Sequence, residues 1–192
     1  MDKHSLLCEL LSGFADKEKL ADALLFRFSS IERIISAPKD ELLTVVPEPV
    51  TAHIKLISEI SKRRITERFK FPKKYTESEI CEYLYALFLY EGEESAYALL
   101  LDASGRVISS ERISRGVTNY TAISCRKITE LCVRRGASAV ILAHNHPYGT
   151  PAFSEEDIRG TELIAQALSE IKVRLLSHAV FAGREYSIIR PD

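Results

Sequence analysis

The sequence has no run of apolar residues long enough to cross a membrane. Its longest apolar stretch, residues 137–143, is interrupted by Ser138 and falls far short of the roughly 20 residues of a membrane-spanning helix. Such a stretch suits a buried strand. The N-terminus, Met-Asp-Lys-His-Ser, has neither the apolar core nor the cleavage site of a signal peptide. We therefore expect a cytoplasmic protein without membrane contact.

Cysteine is scarce, and its spacing does not suit a metal site. The four cysteines, which form no Cys-x-x-Cys pair, are Cys8, Cys81, Cys125 and Cys132. This spacing argues against a zinc knuckle and against a disulfide framework. We expect all four to be reduced thiols that behave mostly as small buried hydrophobes.

Net charge is small as well, at −1, but it is unevenly distributed. Residues 62–74 contain seven basic residues and one acidic residue, between two mildly acidic blocks. We interpret this segment as a solvated basic linker, placed at residues 65–76. A weak contact with nucleic acid through Lys62–Lys74 is the alternative interpretation.

The remaining sequence divides into two patterns. Apolar residues recur at helical spacing through the first sixty residues, which predicts a small all-α domain over residues 1–64. From residue 77 onward helical and extended patterns alternate, which predicts a mixed α/β domain over residues 77–192 with a central sheet flanked by helices. The predicted strands are 97–101, 106–114, 138–144, 173–181 and 186–189, and the predicted helices are 77–89, 123–135 and 154–169.

One short run, His144-Asn145-His146-Pro147, carries the chemistry. Histidines at i and i+2 of an extended chain point to the same side, and Pro147 favours extension at His146. Both imidazoles can therefore bind one metal ion. Asp157, eleven residues after His146, would join them from the start of the next helix. Two histidines and a carboxylate leave one tetrahedral position for water, as in catalytic zinc sites.

Such a site also needs a carboxylate to take a proton from the water. Glu94 stands at the entrance to the first strand of the same domain, but Glu91 and Glu93 are close alternatives. Each candidate also has a structural interpretation. A His-x-His pair on a strand is often structural, and Ser154-x-x-Asp157 matches a helix capping box. The order and spacing of the whole set favour the metal site.

This ordered set resembles the signature of the JAMM/MPN metallohydrolases, and more specifically that of RadC-like proteins. Their hallmark is His-Asn-His-Pro-Ser-Gly followed by Pro-Ser-x-x-Asp. Here residues 144–149 read HNHPYG and residues 151–157 read PAFSEED. The resemblance covers residues 77–190, and the N-terminal part more loosely. It implies a cytidine-deaminase-like MPN domain preceded by a helix-hairpin-helix-like domain.

The resemblance also implies roles for individual residues. His144, His146 and Asp157 would bind Zn²⁺, and Glu94 would take a proton from the bound water. Ser154 would help to stabilise the oxyanion of a tetrahedral intermediate. The implied protein is a zinc hydrolase, a metallopeptidase or isopeptidase, that acts on a peptide or protein substrate.

Several positions depart from the family pattern. Tyr148 replaces the usual serine of the histidine motif. Phe153 stands where the family usually has a proline directly before Ser-x-x-Asp. Both changes would affect the rim of the site. Ser177 and His178 replace the common Asp-His, which weakens the case for an acidic side chain supporting the site there. Val117 replaces the threonine of a Gly-Thr pair.

Two other functions stay open from the sequence. The family's association with DNA repair and the basic stretch favour an accessory protein that contacts nucleic acid and has a structural or vestigial metal. Against this, residues 46–50 lack the glycines that would turn backbone amides toward a phosphate. A non-catalytic scaffold ranks last, because all candidate ligands are present. The sequence also leaves homo-oligomerisation open.

Overall fold

The computed structural model describes residues 1–116 and 121–191, without the side chains of residues 121–124, and shows two compact units. The first, here called the helical unit, comprises Met1–Ile65 and Leu89–Gly92. The second, the sheet unit, comprises Thr66–Phe88 and Glu93–Asp192. Each unit has its own hydrophobic core.

The helical unit consists of short helices that pack around one core. They are α1 (Lys3–Leu10), α2 (Lys17–Phe28), α3 (Ile31–Ser36), α4 (Lys39–Leu43) and α5 (Glu48–Thr66). Asp2 caps α1 by accepting a hydrogen bond from the Ser5 amide, and Ser30 caps α3 in the same way through the Arg33 amide. The most deeply buried large side chains are Leu7, Leu11, Leu24, Ile34, Leu42 and Ile54. The predicted N-terminal helices are confirmed.

The sheet unit is built on one five-stranded sheet. Its elements are α6 (Glu77–Phe88), β1 (Ser95–Leu101), β2 (Val107–Arg115), α7 (Thr121–Arg135), β3 (Ala139–Asn145), α8 (Glu155–Glu170), β4 (Arg174–Ala182) and β5 (Glu185–Ile189). The strand order is β2-β1-β3-β4-β5. β3 and β4 are parallel, whereas the other neighbouring pairs are antiparallel. The predicted mixed α/β class is therefore confirmed.

Side-chain alternation along the central strands decides which face each residue occupies. Leu100 and Leu142 pack into the core beneath α7 and α8. Leu99 and Ile141, one position away, pack into the core beneath α6. Because successive side chains point to opposite faces, His144 shares the face of Leu142. The sequence of β3 thus directs this histidine toward α8.

The core beneath α7 and α8 gives a stability prediction. Leu142 is fully buried at the centre of β3, and Leu142→Ala would leave a cavity with no side chain to fill it. We expect the free energy of unfolding of the sheet unit to fall by about 2–5 kcal/mol. Leu163→Ala, on the exposed side of α8, is the control and should change it by less than about 0.5 kcal/mol. Equal effects in urea titrations would contradict this assignment of the core.

The basic stretch at residues 62–74 is partly neutralised and partly packed. Phe71 lies against the core of the sheet unit, and the backbone of Lys73 pairs with that of Val107. Ion pairs join Lys62 to Glu91, Arg63 to Glu59, and Arg68 to Glu82. These pairs reduce the charge available to a phosphate. Contact with nucleic acid stays a prediction.

All four cysteines are free thiols, of which Cys81 and Cys132 are buried and the other two half-buried. Burial raises the pKa of the Cys132 thiol to about 11, so this side chain is an unreactive part of the core.

Within the two described ranges, each helix is too short or too polar to cross a lipid bilayer.

Candidate metal centre

Three side chains converge at the end of β3. One potential ligand atom from each of His144, His146 and Asp157 lies within 4.8 Å of the others. The Nε2 atom of His144 is 3.1 Å from Nε2 of His146 and 3.4 Å from Oδ1 of Asp157. The Nε2 atom of His146 is 3.9 Å from Oδ2 of Asp157. The structure thus brings together the three residues that the sequence predicts as ligands.

These separations fit a small metal ion. In a tetrahedral zinc site with bonds of about 2.0–2.1 Å, neighbouring ligand atoms are about 3.3 Å apart. Two imidazole nitrogens only 3.1 Å apart would repel each other through their lone pairs unless a proton or a cation lay between them. The donor set of two nitrogens and one carboxylate oxygen is one that zinc accepts.

The ring of His146 is oriented by the loop that follows it. Its Nδ1 atom lies 3.0 Å from the carbonyl oxygen of Thr150, which can only accept a hydrogen bond. Nδ1 therefore carries the proton, and the lone pair is on Nε2, the atom that faces the cluster. The His146 backbone amide donates to Phe181 O at 2.7 Å, which extends the β3–β4 pairing past the last strand residue.

The ring of His144 is held from the opposite side. Its Nδ1 atom is 2.8 Å from Nε2 of His178, a fully buried histidine on β4. His178 Nδ1 in turn lies 2.6 Å from the hydroxyl of Thr161 on α8. Burial, above all, lowers the pKa of His178 to about 3, so this histidine is neutral at physiological pH.

Asp157 is placed by the helix that it begins. Ser154 is the N-cap of α8, and the Ser154 amide and hydroxyl both donate to Oδ2 of Asp157, at 2.9 Å and 2.6 Å. The Asp157 amide donates back to Ser154 Oγ at 3.1 Å. Burial alone would raise the pKa of the Asp157 carboxyl, but the neighbouring His144 ring and the hydrogen bonds from the Ser154 hydroxyl and amide outweigh it and hold this pKa well below its usual range.

Ser154 therefore has a clear structural task. The capping box expected as the alternative interpretation is present in full. It does not compete with a ligand role for Asp157, because Oδ1 of that carboxylate lies toward His144 and takes no part in the box. The oxyanion role of Ser154 stays a prediction.

Glu94 lies outside the three-residue cluster, and its side chain is exposed. The residues on either side of Glu94 are nevertheless hydrogen-bonded to Asn145, the buried residue that separates the two histidines in sequence. Asn145 Oδ1 accepts from the Ser95 amide at 2.7 Å, and its Nδ2 donates to the Glu93 carbonyl at 3.2 Å. On the other side, the Gly116 amide donates to the Glu94 carbonyl at 2.7 Å. The backbone at Glu94 is thus fixed from both sides.

The positions that differ from the family pattern lie around the site. Tyr148 is 67% exposed, in keeping with a place at the rim. Phe153 does more than line the rim, since its ring packs edge-on against both His144 and His178, at 6.1 Å and 5.3 Å between centroids. Val117 lies outside the described residues.

Sequence reasoning missed three supporting residues. Asn145 was noted only as part of the motif, and His178 only as a departure from it, while Thr161 drew no attention. Thr161 could have been found, because it lies four residues after Asp157 and so one turn along the same helix face. His178 could not be placed without the parallel pairing of β4 with β3, which is a long-range contact.

A mixed sheet with two histidines at the end of a central strand and a carboxylate on the following helix is the arrangement of a JAB, or MPN, domain. That superfamily includes metal-dependent hydrolases. Residues 75–191 match the family model described as the RadC-like JAB domain. The chain belongs to the RadC-like JAB domain family.

Relatives that match most of this chain agree with this assignment. A UPF0758 protein of Cupriavidus necator is 34% identical over 189 residues, which cover 96% of this chain and 83% of the relative. A UPF0758 protein of Idiomarina loihiensis is 32% identical over 173 residues, covering 88% and 77%. One from Desulforudis audaxviator is 28% identical over 174 residues, covering 89% and 76%. The similarity thus includes the helical unit as well as the sheet unit.

Proposed function

We propose that this protein is a zinc-dependent hydrolase that cleaves peptide or isopeptide bonds. The observation that carries the proposal is the approach of His144, His146 and Asp157 to within 4.8 Å through their ligand atoms. Three protein ligands, rather than four, favour a catalytic site over a structural one. The cluster contains imidazole nitrogens and a carboxylate oxygen and no thiolate. These donors suit zinc better than metals that prefer sulfur ligands.

When bound by these residues, zinc would lower the pKa of a water molecule and polarise a substrate carbonyl. The chain supplies the remaining functions. His144 and His146 present Nε2 lone pairs from a rigid strand end, and Asp157 adds a carboxylate held by its capping box. Glu94 takes the proton from the attacking water and passes it to the leaving amine. Ser154 would stabilise the developing oxyanion by turning toward it the hydroxyl proton that Asp157 Oδ2 accepts in this structure.

Strand geometry favours Glu94 over Glu93 as the base. Ala96 pairs with His144 across the β1–β3 ladder, and paired residues lie on the same face of a sheet. Glu94 precedes β1, and extending the alternation of that strand back from Ala96 would put the side chain of Glu94 on the face of His144 and that of Glu93 on the opposite face. The Glu93 carboxylate is, in addition, engaged with Arg115 at 3.0 Å.

The proposal is tested in two stages on the full-length chain. Protein purified without chelator should contain close to one zinc per chain, and His144→Ala should remove most of it. A peptide library, together with isopeptide-linked substrates, should then be cleaved by the zinc protein and not after chelation, with recovery on addition of zinc. Fewer than about 0.2 zinc ions per chain, unchanged by His144→Ala, would contradict the metal site. Zinc binding without any cleavage would contradict the hydrolase.

A further inference from the structure

A chain of buried hydrogen bonds links two of the three proposed metal ligands to each other. It runs from His144 Nδ1 to His178 Nε2 at 2.8 Å, and from His178 Nδ1 to the Thr161 hydroxyl at 2.6 Å. The Thr161 hydroxyl then reaches the backbone carbonyl of Asp157, also at 2.6 Å. Thr161 and His178 are 2% and 0% exposed, so water does not compete for these bonds.

The direction of every bond follows from one fixed acceptor. A carbonyl oxygen can only accept, so the single hydroxyl proton of Thr161 is donated to Asp157 O. Thr161 Oγ must then accept a hydrogen bond from His178 Nδ1–H. A neutral imidazole has one proton, so His178 Nε2 carries a lone pair and accepts from His144 Nδ1–H. The lone pair of His144 is consequently on Nε2, which faces His146 and Asp157.

We propose that Thr161 and His178 are positioning residues that set the tautomer of His144, so that its Nε2 presents a lone pair to the metal ion. This inference rests on the metal binding proposed above. It assigns roles to two side chains that touch neither the ion nor the substrate. The helix that supplies the Asp157 ligand therefore also controls, through its next turn, the protonation of the His144 ligand.

The same hydrogen bonds running in the opposite direction would prevent His144 from binding the metal ion. If Thr161 donated its proton to His178 Nδ1, then His178 would carry its proton on Nε2 and donate it to His144 Nδ1. His144 would be left with its proton on Nε2, where it would block coordination. The carbonyl of Asp157 distinguishes the two directions, because at 2.6 Å from the Thr161 hydroxyl it can only accept that proton.

Isosteric substitution of Thr161 tests the role of the hydroxyl. Thr161→Val keeps the shape but cannot accept from His178, so we expect zinc affinity, measured by chelator competition, to fall about 10- to 100-fold. Thr161→Ser restores the hydroxyl and should bind zinc like the wild type. Ile164→Val, a buried change three residues further along α8, controls for altered packing and should leave the affinity unchanged. Equal affinities in Thr161→Val and wild type would overturn the proposal.

The tautomers can also be read directly. Nitrogen-15 NMR of the histidine rings in the wild-type protein should show His178 and His144 each protonated on Nδ1. A His178 proton on Nε2 would overturn the proposal even if the Thr161 variants failed to fold. If the wild type did not bind zinc, the proposed function would fall, while the ring spectra would still decide whether the hydrogen-bond chain has the stated direction.

Discussion

Asp157→Asn is expected to weaken zinc binding by more than about 100-fold while leaving the protein folded. Replacing a residue that only supports a metal ligand already lowers metal affinity by about 10- to 100-fold. Replacing a ligand itself should lower it further. The amide oxygen of asparagine can still accept from the Ser154 amide, so the capping box survives in part. The expected loss of stability is only about 0.3–1 kcal/mol, from the missing charge at the helix N-terminus.

Glu156→Gln is the matched control for this prediction. It removes a neighbouring exposed carboxylate from the same first turn of α8 and should have a similar effect on helix stability with no effect on zinc affinity. Both variants would be examined by chelator competition and by urea unfolding. A zinc affinity that falls equally in the two variants would mean that the charge of the helix start, and not coordination by Asp157, holds the ion.

The charge of Asp157 should also appear in the pH dependence of stability. Because its hydrogen bonds lower the pKa of this carboxyl in the folded state, ionised Asp157 stabilises the fold above the ordinary value of about 4. The contribution is lost as the pH falls from there toward the lowered pKa. In metal-free protein, Asp157→Asn should therefore lose less stability than the wild type on acidification below about pH 4.

The second large effect is expected from Glu94→Gln, which should reduce the rate of hydrolysis by about 100- to 10,000-fold. Glutamine has nearly the shape of glutamate but cannot take a proton from water. Because the Glu94 side chain is exposed and lies outside the ligand cluster, the variant should retain its zinc and its stability. The measurement is kcat on a substrate identified in the peptide library, together with zinc content.

Glu93→Gln is the natural comparison. It removes the ion pair with Arg115, an exposed contact worth no more than about 1 kcal/mol, and should leave kcat within a few-fold of the wild type. If Glu93→Gln lost activity and Glu94→Gln retained it, the base would be Glu93 and the face assignment by strand alternation would be wrong.

Much of the sheet unit follows from local pattern. The run of apolar residues in β3 predicts a buried central strand, and the alternation of its side chains already places His144 and His146 together. The capping signal at Ser154 fixes where α8 begins, so Asp157 is placed in its first turn. These features depend on residues close together in the chain, and local physics is enough to predict them.

The supporting contacts depend on pairings that local patterns do not contain. Asn145 reaches Ser95 and Glu93 only because β1 lies antiparallel to β3, and β4 brings His178 to His144 across a parallel pairing thirty-four residues away in sequence. Phe153 illustrates the same limit. Its substitution for proline predicted a change at the rim, whereas the fold turns the ring inward against two histidines.

The carboxamide of Asn145 has a consequence for strand slippage. Sliding β1 by one residue along β3 would exchange the faces of Glu93 and Glu94. Glu93, which pairs with Arg115, would then face the histidines in place of Glu94, the proposed base. Such a slip would break both hydrogen bonds of the amide, since its donor and acceptor reach the backbone on either side of Glu94. An aspartate in the place of Asn145 could accept but not donate, and a leucine could do neither. The Asn145 carboxamide thus adds to the β1–β3 ladder in holding the proposed base in line with the two imidazoles.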